Sequence, residues 1–266
     1  DPILTIHVEA KDVTARVIQL GFPKLASVGS DTHFEIIRQF VRDCNLKHPK
    51  CMPSQTHKSS SLPTRLLYLG SSESPVIRIY KTRDTDMLQY IALSHPWGPG
   101  PEYFCTDRKN INEYEVNISF EKLPKTFRNA VTATRKLGLQ YLWIDSLCII
   151  QGDDGDFAQE ALRMEDVYSS AYCTLAASSA KNPNDGFLVP RKDNKFLTFH
   201  MNGFPVYVSR FMDDFEKHVL QGPLSKRGWV MQERALARRT IFFTDRQTYF
   251  ECGEGVRCET LAKMEK

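Results

Sequence analysis

The sequence of 266 residues has no apolar run near the roughly 20 residues needed to cross a bilayer as a helix, so no membrane segment is expected. It has little charge imbalance: +3 at neutral pH is too small by itself to favour nucleic acid or an anionic lipid surface. It lacks G-x-G-x-x-G, the P-loop and H-E-x-x-H, so no standard dinucleotide, phosphate or zinc-protease motif is available. Internal repeats and low-complexity tracts are missing too. The opening Asp1-Pro2 has neither Met nor a signal-peptide pattern, and the end, Lys263 to Lys266, is charged; a trimmed piece of a cytoplasmic protein is the expectation. What is present is ordinary for a globular chain: 41% hydrophobic and 25% charged residues. The length suits one large domain or a domain with an extension.

The seven cysteines are odd in number and sit mostly in apolar or mixed contexts, the pattern of reduced thiols in an intracellular protein. Only Cys44-x3-His48-x2-Cys51 has a metal-like spacing. It offers three ligands without a clear fourth and lies where a helix ends, so a structural helix end is preferred and no metal is expected.

Phe34, Ile37, Phe40 and Val41 recur at helical spacing, giving an amphipathic helix over 31–46 that Pro49 and Pro53 close. The serine-rich stretch 56–61 reads as an exposed loop. Leu66 to Leu69 and Val76 to Tyr80 are β-type runs around a turn at 70–74, hence a hairpin. A strand over 90–95 follows, stopped by Pro96-Trp97-Gly98-Pro99-Gly100. The spacing then predicts a helix over 124–137 with Gly138 as its cap, a strand over 141–147, a helix over 156–170 and a strand over 172–177. Such alternation predicts an α/β fold with a mainly parallel sheet flanked by helices. Beyond residue 180, hairpins around Asn202-Gly203 and around Asp245-Arg246 bracket a short helix over 229–237. Residues 1–88 read as an N-terminal extension, helix plus hairpin, packed on a core over 89–266.

Ligands on parallel sheets bind beyond the carboxyl ends of the strands. Ser94, His95 and Trp97 end one strand, Asp145 and Ser146 the next, and Ser178 and Ser179 the third. Asp145 fits either a carboxylate facing a ligand or a cap bonded to backbone N–H groups. His95 fits a base or a structural ring beside Pro96. Glu160 and Glu165 read as solvated or paired with Arg163, and Cys148 as a core thiol. Trp229 and Glu233 are i and i+4, on one helix face. With Arg227 nearby they could hold a cationic or ribose-like group; alternatively Glu233 pairs with Arg234 or Arg238 at the surface while Trp229 packs inward.

Five stretches in order resemble the heterokaryon incompatibility (HET) domain of filamentous fungi: Tyr90-Ile-Ala-Leu-Ser-His-Pro-Trp-Gly98, Leu123-Pro124-Lys-Thr-Phe, Tyr141-Leu-Trp-Ile-Asp-Ser-Leu-Cys-Ile-Ile-Gln151, Met164-Glu-Asp-Val-Tyr-Ser-Ser-Ala171 and Arg227-Gly-Trp-Val-Met-Gln-Glu233. The resemblance covers about 90–236. His95 stands where the family usually has Tyr, and Gly152 where an acidic or polar residue is common. That domain triggers programmed cell death when unlike fungal cells fuse, and it is similar to the Toll/interleukin-1 receptor (TIR) domain. Enzymatic TIR domains carry Trp-Cys-x-x-Glu; Trp229-Val-Met-Gln-Glu233 keeps the Trp and the Glu and replaces the Cys by Val230. The resemblance implies a TIR- or flavodoxin-like sheet with Glu233 facing its strand ends as the catalytic carboxylate for NAD⁺ cleavage. It implies Ser94, His95, Trp97, Asp145, Arg227 and Trp229 as substrate-binding residues, and NAD⁺ as a substrate rather than a cofactor. Self-assembly and other cell-death signalling proteins would be its partners. A non-enzymatic interaction module, or processing of another nucleoside N-glycoside, are the alternatives.

Overall fold

The computed structural model describes residues 4–8, 25–52, 62–70, 76–98, 103–191, 195–201, 203–210, 212–260 and 263–264. The loop read over 56–61, the turn at 71–74 and the Pro99-Gly100 stop lie outside these. Strand β1 is Leu4–Val8 and helix α1 is Asp31–Lys47, the latter capped by Ser30, whose hydroxyl accepts the His33 N–H. β2 (Arg65–Tyr68) and β3 (Arg78–Lys81) form the expected hairpin, and β4 is Ile91–Ser94. A short helix, α2 (Ile111–Val116), interrupts the long connection that follows. α3 (Lys125–Lys136) ends where Gly138 takes φ +82°, the left-handed cap conformation.

Two expectations need correction. The strand over 141–147 stops at Trp143: β5 is Tyr141–Trp143, and Asp145–Cys148 turns into a one-turn helix, α4. An unbroken apolar run cannot distinguish buried strand from buried helix by periodicity. The helix over 156–170 is two pieces, α5 (Phe157–Ala161) and α6 (Met164–Ser170). β6 is Cys173–Ala176, β7 Phe196–Met201 and β8 Phe204–Arg210. α7 (Gly228–Leu236) leads into β9 (Arg239–Phe243), β10 (Thr248–Cys252), β11 (Gly255–Cys258) and β12 (Lys263–Met264).

Among the described residues, nine strands form one sheet in the order β12-β11-β10-β9-β6-β4-β5-β2-β3, while β1-β8-β7 form a second. The centre, β9-β6-β4-β5, is parallel, and both flanks are antiparallel. In chain order the four parallel strands lie 2-1-3-4, a doubly wound arrangement. Central strands such as β6 and β9 are buried along their whole length, as a sheet covered on both faces requires. Ile241 and Phe243 of β9 enter the main core, whereas Phe242 joins a smaller cluster with Val219, Leu224 and Val230. On β10, Phe250 stacks on Phe40 of α1 at 6.1 Å, while Tyr249 points to the smaller cluster. Helices α1 and α7 therefore cover opposite faces of this half of the sheet. Among the described residues no helix is long and apolar enough to cross a membrane.

Candidate functional site

The first parallel strand, β4, has the second, β5, on one side and the third, β6, on the other. The chain reverses direction there, and the carboxyl ends of β4 and β6 open the crevice that doubly wound sheets use for ligands. Ser94 ends β4 and is 3% exposed. Helix α7 packs against α6 and brings Glu233 to this point, 7% exposed, with Tyr168 of α6 beside it. Desolvation pushes the Glu233 carboxyl up to about 7, and the charge of Asp145 adds to the rise. The Ser94 hydroxyl, the Arg227 guanidinium and the Tyr168 hydroxyl oppose it. Ser94 Oγ and Glu233 Oε2 nonetheless lack a well-formed hydrogen bond, and among the described residues no ion pair involves Glu233.

Asp145 opens α4, at the end of β5. One of its oxygens accepts the Ser146 N–H at 2.7 Å and the other the Trp97 indole N–H at 2.6 Å. It is thus both a backbone cap and a second acid near Glu233. His95 Nδ1 lies 3.7 Å from Asp145 Oδ1; burial holds this imidazole below its ordinary range despite the carboxylate, which favours its neutral form. Its ring meets Phe127 edge-on at 4.9 Å. Arg227 donates to the His95 carbonyl, tying the start of α7 to the tip of β4.

A cleft of about 860 Å³ opens beside this cluster. His95, Trp97, Tyr103 and Ser146 line it, with Lys122, Lys125 and Arg128 as cations. Gly98 holds one wall: its φ is +81°, and a β-carbon there would come within 3.1 Å of both Asn182 and Pro183. Ser94, Asp145, Arg227 and Glu233 are not lining residues. They adjoin the cleft through His95, Trp97 and Ser146.

The structure therefore gathers Ser94, His95, Trp97, Asp145, Arg227 and Glu233 and leaves Trp229 out, at 60% exposure on the outer side of α7. Sharing a helix face by spacing does not give Trp229 and Glu233 the same burial. The surface alternative fails as well, because Arg234 forms a two-pronged pair with Glu251, and Arg238 donates to the carbonyl of Ser169. Glu160 is 6% exposed rather than solvated, and is linked to Arg163 through the Thr64 hydroxyl. Cys148 is a core thiol pushed up to about 12 by desolvation. Sequence reasoning missed Tyr168 and the basic rim of the cleft. Tyr168 lay within a quoted stretch, but nothing local told which neighbour its hydroxyl would meet. A separate cluster, Cys44, His48, Cys51 and Cys252, has the ligand types to hold a metal.

A model of the heterokaryon incompatibility (HET) protein family matches residues 90–233. No curated protein and no solved structure matches the chain.

Proposed function

Since the chain belongs to the heterokaryon incompatibility family, we propose that it is a cell-death effector that hydrolyses NAD⁺ at the nicotinamide–ribose bond, with Glu233 as the catalytic carboxylate. The observation that carries this reading is Glu233 itself: a carboxyl buried at the switch point of a doubly wound sheet, with no ion pair among the described residues. Burying such a group is costly, and a charge developing on a substrate would offset that cost.

The bond that breaks joins C1′ of the ribose to the nicotinamide nitrogen. The pair of electrons leaves with nicotinamide, which departs neutral without a strong general acid. Positive charge grows on the ribose, as in glycoside cleavage, and ionised Glu233 stabilises it. Water then adds at C1′ and releases a proton, giving ADP-ribose. Trp97 and Tyr103 are aromatic rings lining the cleft, and Lys122, Lys125 and Arg128 suit a pyrophosphate. A substrate approaching Glu233 from the cleft displaces the Trp97 indole from Asp145. Self-assembly, which the TIR resemblance implies, would complete the site.

The test is to incubate the chain with NAD⁺ across a wide protein concentration range and follow nicotinamide by chromatography, wild type against Glu233→Gln. Release by the wild type with loss in the variant is expected; no release at any concentration, or equal release by both, overturns the reading. The second reading, a non-enzymatic module that docks on other incompatibility proteins, draws on Trp229 and Met231, which are 60% and 77% exposed on α7. It predicts that Glu233→Gln leaves function intact and that surface changes on α7 abolish it.

A further inference from the structure

The three-ligand spacing at the end of α1 acquires a fourth member from the far end of the chain. Cys44 lies in the last turn of α1, His48 caps that helix, and Cys51 closes a 3₁₀ turn over Pro49–Cys51. Cys252 is the last residue of β10, the strand on which α1 packs. The three sulfurs and a ring nitrogen of His48 all lie within 4.8 Å of one another. A tetrahedral Cys₃His zinc centre has ligand–ligand edges of about 3.5–3.8 Å, from its usual bond lengths. His48 Nδ1 and Cys252 Sγ, 3.5 Å apart, already span one such edge. We propose that Cys44, His48, Cys51 and Cys252 form a structural zinc site that clasps the N-terminal helix to the C-terminal part of the sheet.

Three further observations support this. The backbone is built to bring the sulfurs together: the His48 N–H bonds to the Cys44 carbonyl and the Cys51 N–H to the His48 carbonyl, both at 2.9 Å, which folds three ligands onto one side of a tight turn. Residue 253 is glycine, and a β-carbon there would come within 3.2 Å of Cys51 Sγ. The third is electrostatic. Arg239, the β9 partner of Cys252, is 1% exposed, and no ion pair involves it among the described residues. It donates to the Cys51 carbonyl at 3.1 Å and to the Asn45 side chain, and it lies 4.9 Å from the Tyr172 ring. A buried guanidinium needs a compensating anion. A zinc ion bound by three thiolates and a neutral imidazole carries one net negative charge, and the thiol protons leave to solvent as it binds. That centre would supply the missing countercharge.

Cys₃His with Nδ1 bonding is a closed, zinc-selective set, with no position left for substrate. The role is therefore structural and independent of Glu233. The chain purified without chelator is assayed for metal by mass spectrometry, then exchanged into Co²⁺ and examined for the visible bands and sulfur charge-transfer absorption of tetrahedral thiolate cobalt. One zinc per chain and that spectrum are expected. Cys252→Ser should lose both, while Cys105→Ser, outside the cluster, keeps both. Because Cys252→Ser could itself impair folding, a strong chelator is applied to the folded wild type; zinc release with a lowered Tm is the expected result. A folded wild-type chain that binds neither metal overturns the proposal. So does a Cys44–Cys252 disulfide in unreduced peptide maps, or a Cys252→Ser chain that keeps its zinc with an unchanged cobalt spectrum.

Discussion

Two glutamates are buried at opposite ends of the chemistry a fold can support. Glu259 is 1% exposed; Arg191 Nη1 is 2.6 Å from its Oε2, which also accepts the Thr248 N–H, and His33 Nε2 is 3.5 Å from its Oε1. Glu233 is almost as deep, yet it faces Ser94, Tyr168 and a second carboxylate, Asp145, with no ion pair among the described residues. Desolvation raises both above the ordinary range. At Glu259 an arginine opposes that rise more strongly than any other group; at Glu233 a single hydroxyl does. The first arrangement satisfies one buried charge with another. The second keeps a carboxyl in an environment that strengthens any positive charge brought to it.

The comparison breaks most visibly at Glu259. Glu259→Gln leaves the Arg191 charge buried with its counter-ion gone, and removing one partner of a buried pair costs about 3–5 kcal/mol. His33 will not compensate: burial first, then the Arg191 charge, pulls it down to about 3. Urea unfolding at pH 7 should show the loss. A cost below about 1 kcal/mol would mean that the pair contributes no more than an exposed one.

Glu233→Gln should act in the opposite sense on stability. A carboxyl raised in the folded state from 4.5 to about 7 contributes stability below its unfolded value. That stability is lost as pH rises from 4.5 through 7. Replacing it by a neutral amide removes the penalty, so the variant should be more stable than wild type by about 3 kcal/mol at pH 8 and by under about 1 kcal/mol at pH 5. Nicotinamide release should meanwhile fall by roughly 10²–10³-fold, and wild-type kcat/KM should rise with pH through about 7. Stability gained where activity is lost is the signature of a group held for function. A pH-independent difference in stability would place the ionisation elsewhere.

Trp97 sharpens the contrast at the wall between cleft and carboxylates. Trp97→Phe keeps a ring but removes the donor to Asp145 Oδ2, a charge-assisted bond whose loss costs about 1.5–3 kcal/mol. A Tm lowered by a few degrees, together with a changed KM for NAD⁺, is expected. An unchanged KM would separate the indole from substrate.

How much of this was legible in the sequence follows from the range of each interaction. α1, α3 and β4 are written in local periodicity and punctuated by Pro49, Gly138 and Pro96, so their extents come out within a residue or two. The turn from β5 into α4 was not, because Ile144 to Ile150 is apolar whichever way it folds, apart from Asp145 and Ser146. The clustering of Ser94, Asp145 and Glu233 followed from strand-end logic and from family resemblance, not from spacing. The environment of Glu233 was hidden, because Tyr168 arrives from another helix. The fourth ligand of the cluster, Cys252, was hidden for the same reason: β10 reaches α1 only when the sheet assembles.

The smallest effect belongs to Trp229, which the sequence grouped with Glu233 and the structure separates from it. At 60% exposure the indole contributes little packing, so Trp229→Ala should change stability by no more than about 0.5 kcal/mol. Its consequence for activity tells whether the site is complete in one chain or is completed by assembly. If the site is complete in one chain, nicotinamide release per chain stays unchanged at every protein concentration. If assembly completes it and α7 lies in that contact, Trp229→Ala shifts activity to higher protein concentration while the limiting rate is preserved. Light scattering beside the NAD⁺ assay distinguishes these outcomes. A raised KM at constant assembly would instead show that the exposed ring closes on substrate, returning Trp229 to the site from which its exposure removes it.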